Sequence, residues 1–110
     1  DAESAVGRFV AEMNRVAASV GPSGGADTRF VNPHGMGHAE SYTCAADMAA
    51  LAAAALRDAT FRRVVGTAFY STTVMGRLRP RRVKWSNTNE LLARGSDAAA
   101  DYTYSGVKTG

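Results

Sequence analysis

Three consecutive residues near the end of the chain have the types and spacing to do chemistry: Lys108, Thr109 and Gly110. A strand turns alternate side chains to opposite faces, so Lys108 and Gly110 would share one face. Lys108 would hold a fixed positive charge toward an anionic substrate end, and Thr109 would offer a short hydroxyl donor at the strand's edge. Gly110 lacks a Cβ and would let a substrate backbone approach closely. Taken alone, the same residues also describe a surface lysine before a turn, so the rest of the chain must decide.

Other candidates are weaker. His34 and His38 stand four apart, a spacing that on a helix would put two metal ligands on one face. Pro33, Gly35 and Gly37 argue against a helix there, and no glutamate follows His34 as the zinc-protease pattern requires. No metal or other cofactor is expected, and a histidine that bonds its own loop is the plainer reading. Cys44 is the sole cysteine; at the expected start of an apolar helix it reads as a small core residue rather than a nucleophile.

The formal net charge is +3, and much of the excess lies in Arg77, Arg79, Arg81, Arg82 and Lys84. Such an arm can meet nucleic acid, anionic lipid or acidic glycan. No aromatic residue is interleaved with the arginines to stack on bases, and Pro80 suggests a loop tip. A solvated hairpin is expected, with no nucleic-acid partner.

The elements that must position these residues follow from periodicity. With 110 residues, 45% hydrophobic and 21% charged, the chain suits at most one domain, burying about 65% of its unfolded surface. No apolar run reaches the ~18 residues that a membrane span needs. Val6, Phe9, Val10, Met13, Val16, Ala17 and Val20 recur at three and four, which predicts an amphipathic helix over 5–20, closed by Gly21-Pro22-Ser23-Gly24-Gly25. Phe30 to Met36 reads as an ordered turn.

Thr43 is then placed to cap a second helix with Asp47 in its first turn. Met48, Leu51, Ala52, Ala55 and Leu56 form the stripe of what should be the most buried helix. Thr60 can cap a short helix from Phe61 to Val65, closed by Gly66. Ala68 to Val74 reads as a strand, Gly76 to Arg82 as its turn, and Val83 to Trp85 as the returning strand. Asn87 to Asn89 suit turns and caps before Leu91 and Leu92, and a further loop, Gly95 to Asp101, leads to the strand that carries Lys108.

Several separated phrases agree with one family. They are Phe30-x-Asn32-Pro33-His34-Gly35-Met36; the helix start from Thr43 to Ala49, of the type Thr-Ala-x-Asp-Met-Ala; Phe61-Arg62-Arg63-Val64-Val65; Asn87-Thr88-Asn89-Glu90-Leu91-Leu92; and Gly106-Val107-Lys108-Thr109-Gly110. In order and spacing the chain resembles the serine-type D-alanyl-D-alanine carboxypeptidases, the low-molecular-mass penicillin-binding proteins that trim peptidoglycan stem peptides.

The resemblance implies acyl transfer. In that family a helical serine followed three residues later by lysine supplies nucleophile and proton acceptor, and a Ser-x-Asn loop helps to shuttle the proton. The Lys-Thr-Gly strand binds the terminal carboxylate, and penicillins acylate the same serine. Carried over residue by residue, Lys108 would provide the charge, Thr109 the contact to the substrate carboxylate and Gly110 the clearance. An oxyanion donor would follow Gly110.

The departures are as informative. The only match to Ser-x-x-Lys is Ser105 to Lys108, where the lysine already belongs to Lys-Thr-Gly; residues three apart on a strand face opposite ways, so the pair could not exchange a proton. No Ser-x-Asn occurs. The chain opens on Asp1-Ala2-Glu3-Ser4 without an initiator methionine or signal peptide.

The 110 residues are therefore expected to be the central part of one catalytic domain, cut at both ends and inactive alone. The implied fold is α+β, with helices packed on an antiparallel sheet in a β-lactamase/transpeptidase-like architecture. The implied partners are a stem peptide ending in D-Ala-D-Ala and β-lactams, and the implied location is extracytoplasmic. A β-lactamase or transpeptidase is the near enzymatic alternative. A non-catalytic relative that binds an anionic cell-wall polymer is the alternative from another class.

Overall fold

The computed structural model describes residues 4–93 and 104–107. The chain divides into two compact units, Asp1–Leu56 and Arg57–Gly110.

The first unit is a pair of helices joined by a long ordered loop. Helix α1 spans Ala5–Val20, as the periodicity predicts. Ser4 caps it by accepting from the Gly7 N–H at 2.9 Å, and the Gly21 N–H closes it on the Ala17 carbonyl at 2.8 Å. Its apolar stripe is only partly covered: Ala17 is buried and Val10, Met13 and Val20 are half-buried, while Val6 and Phe9 are exposed. Helix α2, Ala45–Ala55, packs against α1. In the loop between them, Arg29 and Tyr42 exchange both backbone hydrogen bonds, at 2.8 and 3.1 Å.

One expectation about α2 needs correction. Its cap is Cys44 rather than Thr43: the thiol Sγ accepts from the Asp47 N–H at 3.5 Å. The Thr43 hydroxyl is instead paired with Thr28 Oγ1 at 2.9 Å. Of its apolar stripe Leu51, Ala52, Ala55 and Leu56 are half-buried and Met48 is exposed, and Asp47 is the helix's one buried residue. Eight of its eleven residues are alanine, which favours helix but offers little side chain to bury.

A thiol accepts hydrogen bonds weakly and a hydroxyl accepts them well, and a good cap is worth about 1 kcal/mol. Cys44→Ser is therefore expected to stabilise the chain by about 0.5–1 kcal/mol, read as a raised urea midpoint at unchanged slope.

The second unit begins with helix α3, Ala59–Val65. Its cap is Asp58, not Thr60: Asp58 Oδ1 accepts from the Phe61 N–H at 2.7 Å, with the extended backbone that a cap requires. The Gly66 N–H closes the helix on the Arg62 carbonyl at 3.0 Å.

Strands β1, Phe69–Met75, and β2, Pro80–Ser86, then form an antiparallel hairpin in which Phe69 pairs with Ser86 and Met75 with Pro80. The turn is shorter than the sequence suggests. Gly76 to Arg79 make it, closed by the Gly76 N–H on the Arg79 carbonyl at 3.1 Å. Arg81 and Arg82 belong to β2. Pro80 is the first residue of β2, where its missing N–H takes nothing from the ladder.

Asn87 holds the end of the hairpin, its N–H donating to the Ala68 carbonyl at 2.8 Å and its Nδ2 to the Thr67 carbonyl at 3.2 Å. Asn89 Oδ1 accepts from the Leu91 N–H at 3.2 Å at the start of the single turn α4, Glu90–Ala93. The fold is α+β, with the antiparallel sheet among the described residues limited to β1 and β2. No described helix is long and apolar enough to cross a membrane.

Candidate functional site

Lys108, Thr109 and Gly110, the residues singled out from the sequence, lie outside the described residues. The approach to them, Tyr104 to Val107, is described and takes no strand pairing. It is held instead by close backbone contact with the end of α3. Gly106 has φ +104°, and a Cβ placed there would lie 2.7 Å from the Val65 carbonyl oxygen and 3.2 Å from Val65 Cγ2. A Cβ on Gly66 would lie 3.3 Å from the Ser105 carbonyl oxygen. Two glycines thus let one backbone segment lie on another. The structure brings together parts of two of the phrases read from the sequence, the Val65 end of Phe61 to Val65 and Gly106 at the start of the last phrase, so that the last turn of α3 supports the chain just before Lys108.

Beside α3 a cavity of about 840 Å³ is lined by Val64, Thr67, Ala68, Tyr70, Trp85 and Asn87, among others. The Tyr70 and Trp85 rings stack across the hairpin, with centroids 6.0 Å apart. The walls are mainly apolar and bring no nucleophile–base pair together.

The first unit holds its loop by polar side chains, one of which, Asn14, the sequence reading did not single out. Asn14, on α1, grips Phe30 at two points: Nδ2 donates to the Phe30 carbonyl and Oδ1 accepts from the Phe30 N–H, both at 2.8 Å. Nδ2 also donates to the Val10 carbonyl at 3.0 Å. The amide plays the part of a strand neighbour on a helix face. An asparagine four residues after Val10 and three before Ala17, on the apolar stripe of the helix, was the available signal.

Downstream, Asn32 Oδ1 accepts from the Gly35 N–H at 2.9 Å and Asn32 Nδ2 donates to the Met36 carbonyl at 3.0 Å. This explains the ordered turn expected from Phe30 to Met36. His34 Nδ1 accepts from the Met36 N–H at 3.3 Å and His38 Nδ1 from the Glu40 N–H at 3.1 Å, so each histidine bonds its own loop. Both are exposed, and the described residues contain no cluster of side chains able to hold a metal.

Asp47 is the centre of this unit. It is 1% exposed, yet its carboxylate is fully engaged. Oδ2 accepts from Ser23 Oγ at 2.5 Å and Thr28 Oγ1 at 2.6 Å, and Oδ1 accepts from the Ser23 N–H at 3.0 Å. The Ser23 hydroxyl, then the Thr28 hydroxyl and the Ser23 N–H, hold the carboxyl below its usual range, and they outweigh burial, which acts the other way. A carboxylate held ionised and saturated with donors is a poor proton acceptor. Its role is to fasten the loop after α1 to the first turn of α2. Gly21 leaves room for it: a Cβ there would lie 2.7 Å from Asp47 Oδ1.

Comparison with known proteins gives one consistent result. The sequence model of a family described as D-alanyl-D-alanine carboxypeptidase matches residues 3–110. A D-alanyl-D-alanine carboxypeptidase of Streptomyces sp. (strain K15) is 33% identical over 112 residues, an alignment covering 99% of this chain and 35% of that protein. The chain thus spans about a third of the length of this curated relative. No solved structure matches.

Proposed function

The chain belongs to the D-alanyl-D-alanine carboxypeptidase family, and on that premise we propose that it works as the central part of a serine-type catalytic domain that trims peptidoglycan stem peptides outside the cytoplasm. The observation that carries the reading is the family match over residues 3–110. The support of the approach to Lys108 by the end of α3 adds to it.

In this reading the substrate's terminal carboxylate meets the Lys108 ammonium and the Thr109 hydroxyl, which place the last peptide bond for attack. Gly110 leaves room for the substrate backbone. A serine from a Ser-x-x-Lys helix, supplied from outside these residues, attacks the carbonyl carbon of the penultimate D-Ala and passes its proton to the lysine of that pair. The C–N bond breaks, the terminal D-Ala leaves with a proton, and water hydrolyses the resulting ester. Penicillins mimic the D-Ala-D-Ala end and stop at the acyl-enzyme. The 110 residues alone are inactive, because loss of the nucleophile removes the chemical step.

The test is the intact mass of the protein from its natural source, before and after incubation with a penicillin. The expected result is a species well above 11.6 kDa that gains one drug mass. Replacing Lys108 with methionine in that species should slow acylation by about a hundredfold or more, the scale of losing one charge-stabilising contact. A species of about this chain's mass without an adduct would sink the enzymatic reading and leave a non-catalytic wall-polymer binder.

A further inference from the structure

We propose that the β1–β2 hairpin is a peripheral docking element for an anionic bilayer surface, with Leu78 entering the interface and the surrounding arginines pairing with lipid phosphates. The hairpin's charge is of one sign. From Phe69 to Ser86 there are five basic residues, Arg77, Arg79, Arg81, Arg82 and Lys84, and no acidic one. The register sets Arg81 opposite Val74, Arg82 opposite Thr73 and Lys84 opposite Ser71, so no carboxylate neutralises them across the ladder. Among the described residues none of the five makes an ion pair within the chain.

The apex is apolar. Leu78 is 98% exposed and Met75 80% exposed, and Leu78 sits in the turn between Arg77 and Arg79, at the end of two seven-residue strands. At about 3.4 Å per residue, those strands put the turn some 20 Å from the other end of the hairpin.

An exposed leucine alone means little. What selects the occupant is its position at the tip of a projecting element, flanked on both sides by long cationic side chains. A soluble polyanion would be held by the cations and would gain nothing from an apolar tip. At a bilayer both features are used: the leucine is buried at the acyl boundary, and the arginines lie in the headgroup layer with their stems along apolar surface. This surface is separate from the carboxypeptidase reading, and either can fail without the other.

The test is co-sedimentation of the chain with vesicles of phosphatidylcholine alone or of phosphatidylcholine with phosphatidylglycerol. Binding is expected only with the anionic lipid, and it should weaken as salt rises. Each arginine near the surface is worth about fivefold in partitioning, so the double variant Arg77→Gln/Arg79→Gln should bind about 25-fold more weakly. Leu78→Ser should cost about tenfold through lost apolar burial. These side chains project from the turn, and unchanged circular dichroism would confirm that the variants fold.

Equal partitioning onto both kinds of vesicle, or onto neither, overturns the proposal. Vesicle binding that Leu78→Ser leaves intact, and that soluble polyphosphate abolishes, overturns it in favour of a polyanion site.

Discussion

On the proposed acyl-enzyme reading, Gly106→Ala is expected to slow penicillin acylation by about two orders of magnitude in a protein that carries this segment together with the nucleophile, the scale of a displacement near 1 Å at a reacting centre. The cause is backbone crowding rather than chemistry. At φ +104° an alanine is strained, and its Cβ would lie 2.7 Å from the Val65 carbonyl oxygen, an atom fixed by the end of α3. Strain of this kind costs about 1–3 kcal/mol, and forced overpacking adds a similar amount. The segment's simplest relief is to lift from the helix, and Lys108, two residues on, moves with it.

Gly37→Ala is the matching control, because a Cβ there meets nothing within 4 Å and Gly37 has no positive φ. Acylation rates of the two variants, measured with thermal midpoints, check the idea. A Gly106→Ala protein that acylates at the rate of the Gly37→Ala control would show that the end of α3 does not position the site.

The second large effect is on stability. Asp47→Ala is expected to lower the thermal midpoint by about 5–10 °C, as loss of a buried hydrogen-bonding centre does in a chain of this size. The substitution leaves the Ser23 N–H and the Ser23 and Thr28 hydroxyls without their shared acceptor. Asp47→Asn should fall between the two, since its amide oxygen still accepts while its NH₂ faces existing donors.

The same carboxylate sets an acid limb. Its folded pKa is depressed by the Ser23 and Thr28 hydroxyls, so the unfolded chain binds its proton first as pH falls. Its stabilisation is complete above the ordinary carboxylate range and is lost as pH drops from about 4 through the lowered folded value. A melt series across that window should show a steep limb in the wild type and a shallower one in Asp47→Asn. Parallel limbs would mean that Asp47 is not the group that titrates.

Local order along the backbone was legible in the sequence, because periodicity depends only on neighbours. The α1 boundaries, Ala5–Val20, follow from apolar residues at three and four, and the hairpin follows from aromatic and β-branched runs on both sides of a glycine. The family was legible for a different reason: its short phrases keep their order and spacing along the chain whatever the fold does with them.

The helix caps show where that reading ends. Thr43 and Cys44 are adjacent candidates, and choosing between them depends on Thr28, fifteen residues away, which takes the Thr43 hydroxyl. At α3 the choice between Asp58 and Thr60 depends on which residue has the extended backbone of a cap. The short turn, with Arg81 and Arg82 drawn into β2, reflects a register extended to Met75 and Pro80.

By itself, then, the sequence determined the helices, the hairpin, the single-sign charge of its arm and the kinship of the chain. Only the tertiary structure decided that Asp47, the first-turn charge of α2, also fastens the loop after α1, that Asn14 grips Phe30, and that Gly106 lies on the end of α3. Each of these depends on atoms distant in the chain meeting within hydrogen-bond or van der Waals distance. A residue's type and near neighbours carry propensity and period, while its partners are set by where the backbone brings the rest of the chain.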